Sequence, residues 1–397
     1  MYSKNIYKDC TNEKLEAISE FCESYKDFIS YGKTERLCVE QAVKAAEQNG
    51  FINLDSIIND NTSNKVVLKP GSKVYAVNKN KNVILFRIGS KPLTSGMRIL
   101  GAHIDSPRLD VKQNPLYQKS DFALLDTHYY GGIKKYQWVT IPLAIHGVVI
   151  KKSGETINVN IGESDTDPVV GISDLLIHLS ADQLTKPAAK VIEGEALDLT
   201  IGSIPLKDEE KDAVKKNVLK LLKDKYDFDE EDFLSAELEI VPAGKARDYG
   251  LDRSMVAGYG HDDRVCAYTS LRAILDSENP EETSCCVLVD KEEIGSVGAT
   301  GAQSKYFEDI VALLLNELGY TSYIDLKKAM SNSKMLSSDV SAGYDPLFES
   351  VNDPKNAAYF NKGIVFNKYT GSRGKSGSND ANPEYIAWIR NILDNEQ

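Results

Sequence analysis

The chain has 397 residues, 42% of them apolar and 27% charged, with a formal net charge of -12; this is the composition of a folded globular protein large enough for more than one domain, and it excludes global disorder. The acidic balance argues against a nucleic-acid partner, because a phosphate-binding surface needs clustered Lys and Arg. No apolar run approaches the ~20 residues that span a bilayer, the N-terminus has no signal-peptide core, and the 6 cysteines fall in no zinc or CxxC spacing, so a cytoplasmic protein with reduced thiols and no membrane partner is expected.

Residues 11–49 show helical spacing in two pieces. Leu15, Ile18 and Cys22 recur on one face, widened by Phe21, Tyr25 and Phe28. After a break at Tyr31-Gly32, a second helix capped by Thr34 presents Cys38, Ala42, Ala45 and Ala46 and ends at Asn49-Gly50. Short β-branched runs at 65–68, 73–77 and 83–88 predict consecutive strands joined by turns. They lead to Met97-Arg98-Ile99-Leu100-Gly101-Ala102-His103-Ile104-Asp105-Ser106-Pro107, a strand that ends in polar groups. In an extended chain His103 and Asp105 share a face, which lets the acid orient the imidazole.

From about 111 to 242 the texture changes to strand-like pieces, among them 138–145 and 157–161, with Tyr130-Gly131-Gly132-Ile133 and Leu175-Leu176-Ile177-His178-Leu179 between turns. An inserted domain is expected here, since candidate site residues lie on both sides. The charge-dense segment 207–232 keeps Val214, Val218, Leu221 and Leu222 at helical spacing and predicts an amphipathic helix. After a strand at 237–241, Gly258-Tyr259-Gly260-His261-Asp262-Asp263-Arg264 leads into a helix over 265–275. Asp262 and Asp263 therefore sit at a helix N-terminus, where the dipole favours negative charge. The apolar run 285–289 breaks into Asp290-Lys291-Glu292-Glu293-Ile294-Gly295-Ser296, the pattern of a buried strand whose carboxyl end opens onto a loop, where α/β sheets place ligands. Two neighbouring carboxylates there repel unless a cation or a shared proton separates them. Asp339 ends another short run at 334–340, and a Gly/Ser-rich loop at 371–379 precedes a helix over 385–393.

Element ends thus carry His103, Asp262, Glu292-Glu293 and Asp339. This mix of donors suits zinc, with cobalt or manganese as alternatives, and a bridging carboxylate can hold two ions. Amide hydrolysis is the natural reaction class. The order and wording of Gly101-Ala102-His103-Ile104-Asp105-Ser106-Pro107, Asp262-Asp263-Arg264, Asp290-Lys291-Glu292-Glu293-Ile294-Gly295-Ser296 and Ser337-Ser338-Asp339 resemble the M18 family of metallo-aminopeptidases, the aspartyl aminopeptidase and aminopeptidase I group. The match spans nearly the whole chain and includes Tyr130-Gly131-Gly132-Ile133 and Ile177-His178-Leu179.

The resemblance implies an α/β fold, with an α/β/α metallopeptidase catalytic domain over 1–110 and 243–397 and an inserted β-rich oligomerisation domain over 111–242. It implies a tetrahedral homo-oligomer acting on peptide substrates with two divalent ions. His103 and Asp339 would bind one ion, Glu293 the other, and Asp262 would bridge them. Glu292 would be the general base, Asp105 would orient His103, and His178 would reach the active site of a neighbouring subunit. A non-proline cis peptide at Asp262-Asp263 is expected by similarity. The family also has a metal-binding histidine beyond the point where this sequence stops, whereas the last histidine here is His261. The second ion is therefore expected to be one ligand short and the catalytic domain C-terminally incomplete. Two alternatives stay open: a catalytically impaired fragment or non-catalytic oligomer subunit retaining one metal site, and a hydrolase of non-peptide amides.

Overall fold

The computed structural model describes residues 4–369 and 379–395; the Gly/Ser-rich stretch predicted at 371–379 lies outside them except for Asn379. The chain forms two compact units, Glu20–Val340 and a smaller one made of the two chain ends, Met1–Ser19 with Ser341–Gln397.

In the larger unit β1 (Ile52–Asn53), β2 (Lys73–Asn78), β3 (Asn82–Arg87) and β4 (Met97–His103) come first. There follow β5 (Arg108–Lys119), β6 (Phe122–Tyr130), β7 (Leu143–Ile150), β8 (Thr156–Ile161), β9 (Leu199–Gly202) and β10 (Ala236–Pro242). The short pair β11 (Arg247–Tyr249) and β12 (Met255–Ala257) precedes β13 (Thr283–Val289) and β14 (Lys334–Ser337). One six-stranded sheet has the order β1-β2-β3-β13-β4-β14 and the other β8-β7-β10-β5-β6-β9.

The first sheet is mixed, and it is covered on both faces because its strands are apolar on both. Val83, Leu85, Cys286 and Leu288 point into one core with Tyr25, Phe28, Ile29, Cys38, Ala42, Ala267 and Leu271, from the helices Asn12–Tyr31, Glu35–Gln48 and His261–Asp276. The alternate residues Ile84, Phe86, Cys285 and Val287 point into a second core with Ile310, Val311, Leu314, Leu326 and Ala329, from the helices Tyr306–Glu317 and Tyr323–Asn332. Period-two alternation into two apolar layers makes this an α/β/α arrangement. The second sheet is antiparallel and has its own core, in which Leu109, Leu143, Ile145, Val149, Leu238 and Ile240 meet Val214 and Val218 of the amphipathic helix Ala213–Tyr226. A catalytic α/β fold with a second, β-rich layer system is what the motifs implied.

Some boundaries differ from the sequence pattern. Residues 65–68 form no strand; their apolar residues serve burial only at Leu68. The strand expected at 138–145 begins at Leu143, because Thr140 has φ +61 and breaks the extended run, while Trp138 and Val139 still enter the core. The helix Asn12–Tyr31 buries Tyr25, Phe28 and Ile29 and leaves Leu15 and Phe21 exposed, so its core-facing part is the C-terminal half. Thr34 caps its helix as expected, accepting from Leu37 N–H.

The smaller unit holds the predicted C-terminal helix as Pro383–Asn395. Ile6 N–H donates to Asn361 O at 2.9 Å, and the Tyr344 and Tyr359 rings stack at 4.8 Å. Among the described residues no helix is long and apolar enough to cross a membrane.

Candidate metal centre

Three parallel strands end together. His103, the last residue of β4, lies opposite Val289 of β13, and Ser337 of β14 lies opposite Gly101 of β4. The loops leaving β13 and β14 therefore bring Glu292, Glu293 and Asp339 to the carboxyl edge that carries His103. Asp262 arrives from the start of the helix His261–Asp276, where the Asp262-Asp263 peptide bond is cis, as expected by similarity. Ser106 Oγ donates to Asp262 O at 2.6 Å and ties that loop to the end of β4. Asp290, fully buried, accepts from Thr300 Oγ1 at 2.7 Å and from Lys291 N–H at 2.8 Å. This pins the left-handed turn at Lys291, φ +73, from which the two glutamates project.

His103 Nδ1–H donates to Asp105 O at 3.0 Å, with Asp105 Oδ1 at 3.3 Å. Asp105 thus holds the ring through its carbonyl as well as its carboxylate, and this leaves Nε2 for the open side. There Nε2 faces Asp262 Oδ1 at 3.1 Å, Glu292 Oε2 at 3.7 Å and Asp339 Oδ1 at 3.9 Å. The imidazole is buried, but side-chain exposures of 52% for Asp262, 46% for Glu292 and 56% for Asp339 leave the carboxylates accessible from one side. Among the described residues His103, Asp262 and Asp339 each offer a ligand atom within 4.8 Å of the others.

The electrostatics are those of a cation site. Burial works against charge on His103, yet the carboxylates of Asp105, Asp262 and Asp339 outweigh it and hold its pKa up to about 12. Burial pushes Glu293 up to about 7, helped by repulsion from Asp262. It also raises Glu292, which His103 draws down and Asp339 and Asp105 push further up. Asp263 is raised to about 7 by burial, with Cys266 and His103 drawing it down and Asp339 and Asp262 pushing it further up. One imidazolium among this many carboxylates leaves surplus negative charge, and a divalent cation would compete with the His103 proton for the same oxygens.

Of the residues singled out from sequence, His103, Asp105, Asp262, Glu292 and Asp339 converge. Glu293 stands beside them, outside the tightest group, packed against Gly131: a Cβ on Gly131 would lie 3.2 Å from Glu293 Oε2. His178 is exposed on the short turn Ile177–Leu179 and, among the described residues, shares no hydrogen bond or ion pair with the cluster.

The motif Tyr130-Gly131-Gly132-Ile133 was singled out from the sequence, but the role of Tyr130 and the ionic groups behind the centre were not. Tyr130 OH donates to Asp105 Oδ2 at 2.6 Å. Arg108, 3% exposed, donates to both oxygens of Glu35 at 3.3 Å and to Asp110 at 2.7 Å and lies 3.2 Å from Glu239. Lys81 Nζ contacts Glu35 at 2.6 Å and Glu237 at 3.2 Å. The acids Glu35, Glu237 and Glu239 are close enough to hold an ion, but Lys81, Arg108 and Arg36 already pair with them. The signals in the sequence were Tyr130 at the head of Tyr130-Gly131-Gly132-Ile133 and an Arg directly after Ser106-Pro107.

Beside Asp262 opens a cleft of about 450 Å³ lined by Gly132, Ile133, Trp138, Tyr259 and Gly260 among others.

Comparison with known proteins gives one consistent answer. The family model described as aminopeptidase I zinc metalloprotease (M18) matches residues 28–394. A probable M18 family aminopeptidase 1 of Clostridium acetobutylicum is 59% identical over 394 residues, which cover 99% of this chain and 84% of the relative. The crystal structure of aminopeptidase I from the same organism superposes with a TM-score of 0.89 at 58% identity, covering 99% of this chain and 85% of that one. An M18-family aminopeptidase structure from Thermotoga maritima gives 0.92 at 41% identity, covering 100% and 85%. All are described as aminopeptidases, which gives no support to the alternative of a non-catalytic subunit. With the convergence of His103, Asp262 and Asp339 at one sheet edge, these matches show that the chain belongs to the M18 family of zinc-dependent metallo-aminopeptidases.

Proposed function

We propose that the chain releases N-terminal amino acids from peptides by metal-assisted addition of water to the first peptide bond, using two divalent ions, zinc before cobalt or manganese. The observation that carries the reading is His103 Nε2, facing Asp262, Asp339 and Glu292 on the accessible side of a buried ring. Imidazole nitrogen and carboxylate oxygen suit zinc, and the surplus of carboxylates fits a cation. His103 and Asp339 would hold one ion and Glu293 the other, with Asp262 shared between them. Bound there, such ions would supply Lewis acidity toward the scissile carbonyl and water.

The chain's own groups do the rest. Glu292, raised above the ordinary glutamate range, takes a proton from the attacking water at Oε2 as C–O forms and delivers it to the leaving amine nitrogen, after which the C–N bond breaks. Asp105 keeps His103 oriented throughout. The cleft beside Asp262 receives the side chain of the residue removed. Exposure of Leu175, Leu176, Ile177 and Leu179 around His178 supports a homo-oligomer in which this turn meets a neighbouring subunit, and 6 free cysteines support a reducing cytoplasm.

Amino-acid release from a panel of short peptides, with zinc, cobalt or manganese added and bound metal measured by elemental analysis, tests this. Bound metal with no release from any peptide would count against it.

A further inference from the structure

Asp105 organises the centre from behind. Besides His103 Nδ1, its carboxylate accepts the Glu292 N–H at Oδ1 and the Glu293 N–H at Oδ2, both at 3.2 Å. One fully buried carboxylate thus sets the ring of the first ligand and the backbone that carries both glutamates. What fixes this carboxylate comes from the other sheet: the Tyr130 hydroxyl, at 2.6 Å from Oδ2, is its shortest bond. Tyr130 is the last residue of β6 and pairs with Arg108 of β5 in the antiparallel ladder. The Arg108 guanidinium lies over its ring at 4.0 Å and Lys291 Nζ at 5.3 Å. Ring, ladder and cations leave the phenol little freedom of rotation. The next residue, Gly131, with φ +73, passes so close to Glu293 that a Cβ there would lie 3.2 Å from its side chain.

Resting on the metal centre proposed above, we propose that Tyr130 is a positioning residue for it: the second sheet reaches across with one hydroxyl to lock Asp105, and through Asp105 the geometry of His103, Glu292 and Glu293. Tyr130 touches neither substrate nor ion. Its removal acts through the carboxylate it orients, as partners behind a metal ligand do, where losses of about 10- to 100-fold in affinity or activity are usual.

The test is Tyr130→Phe, which keeps the ring and its stacking on Arg108 and deletes only the hydroxyl. Zinc affinity is measured by competition with a chromophoric chelator, and kcat and KM on a short peptide. Tyr117→Phe is the control: Tyr117 on β5 also donates to a carboxylate, Asp198, but away from the centre. The expected result is a zinc Kd raised roughly 10- to 100-fold and a lower kcat with KM unchanged in Tyr130→Phe, and neither change in Tyr117→Phe. A zinc Kd and kcat within about twofold of the parent, or equal losses in the control, would overturn the proposal. If the parent chain hydrolyses no peptide, the proposed function fails while the ratio of zinc affinities still decides the role of Tyr130.

Discussion

Replacing Arg108 by methionine removes a guanidinium that is 3% exposed while filling most of its volume. Three carboxylates then lose their contacts with it: Glu35 at 3.3 Å, Asp110 at 2.7 Å and Glu239 at 3.2 Å. Breaking a buried ion pair from one side costs about 3–5 kcal/mol. Glu35 keeps Lys81 at 2.6 Å, which draws the figure toward the lower end. Glu239, already pushed upward by burial, relieves part of its charge by taking a proton. Loss of the stacking on Tyr130 adds ~0.5–2 kcal/mol, so a destabilisation of about 4 kcal/mol is expected. Urea unfolding followed by circular dichroism measures it. The double variant with Glu35→Gln should lose clearly less than the sum of the singles, because the two groups interact directly. A loss below about 1 kcal/mol for Arg108→Met would refute the view that this network is held together by Arg108.

Gly131→Ala meets both a left-handed backbone, φ +73, and the Glu293 side chain at 3.2 Å; about 1–2 kcal/mol of stability should be lost, with weaker zinc binding in a chelator titration, and an unchanged zinc affinity would show that Glu293 tolerates the displacement. Glu35→Gln carries a pH signature. Burial opposes the Glu35 charge, but Arg108 and Lys81 outweigh it and hold its pKa well below the ordinary range. A depressed folded-state pKa contributes stability in full above the unfolded glutamate value of about 4.3, and that contribution is lost as pH falls through the lower folded value. The Tm deficit of Glu35→Gln should therefore be largest near neutrality and narrow as the pH drops below the unfolded value; a deficit that widens in acid contradicts the assignment. Asp339→Ala removes one of the three oxygen or nitrogen donors that lie within 4.8 Å of one another, and should lower bound zinc per chain after dialysis, with unchanged stoichiometry as the adverse result.

The parts of this structure that were legible in the sequence are those governed by local rules. Apolar runs ending in His103 and in Asp290-Lys291-Glu292-Glu293 announced strand ends, because a buried strand must stop where charge begins, and parallel pairing of β4 with β13 then aligned those ends. Thr34 as a cap followed from the rules of helix termini. The roles of Tyr130 and Arg108 were not legible, since their partners Asp105, Glu35 and Glu239 come from a loop, the helix Glu35–Gln48 and β10, and no local period encodes that meeting. The same holds for Trp138 and Val139, apolar enough for a strand but bent out of it at Thr140, and for Leu15, which has helical spacing yet is exposed. Periodicity says which residues can share a face; tertiary contact decides which face is covered.

The account turns on Glu292 as the proton-carrying group beside a metal centre that it does not hold. The most direct test is Glu292→Gln, with zinc per chain by elemental analysis and amino-acid release from a short peptide measured on the same preparation. The account predicts zinc content equal to the parent chain and a rate lower by about 100-fold or more. A variant that keeps the parent rate, or one that loses its zinc, would contradict it.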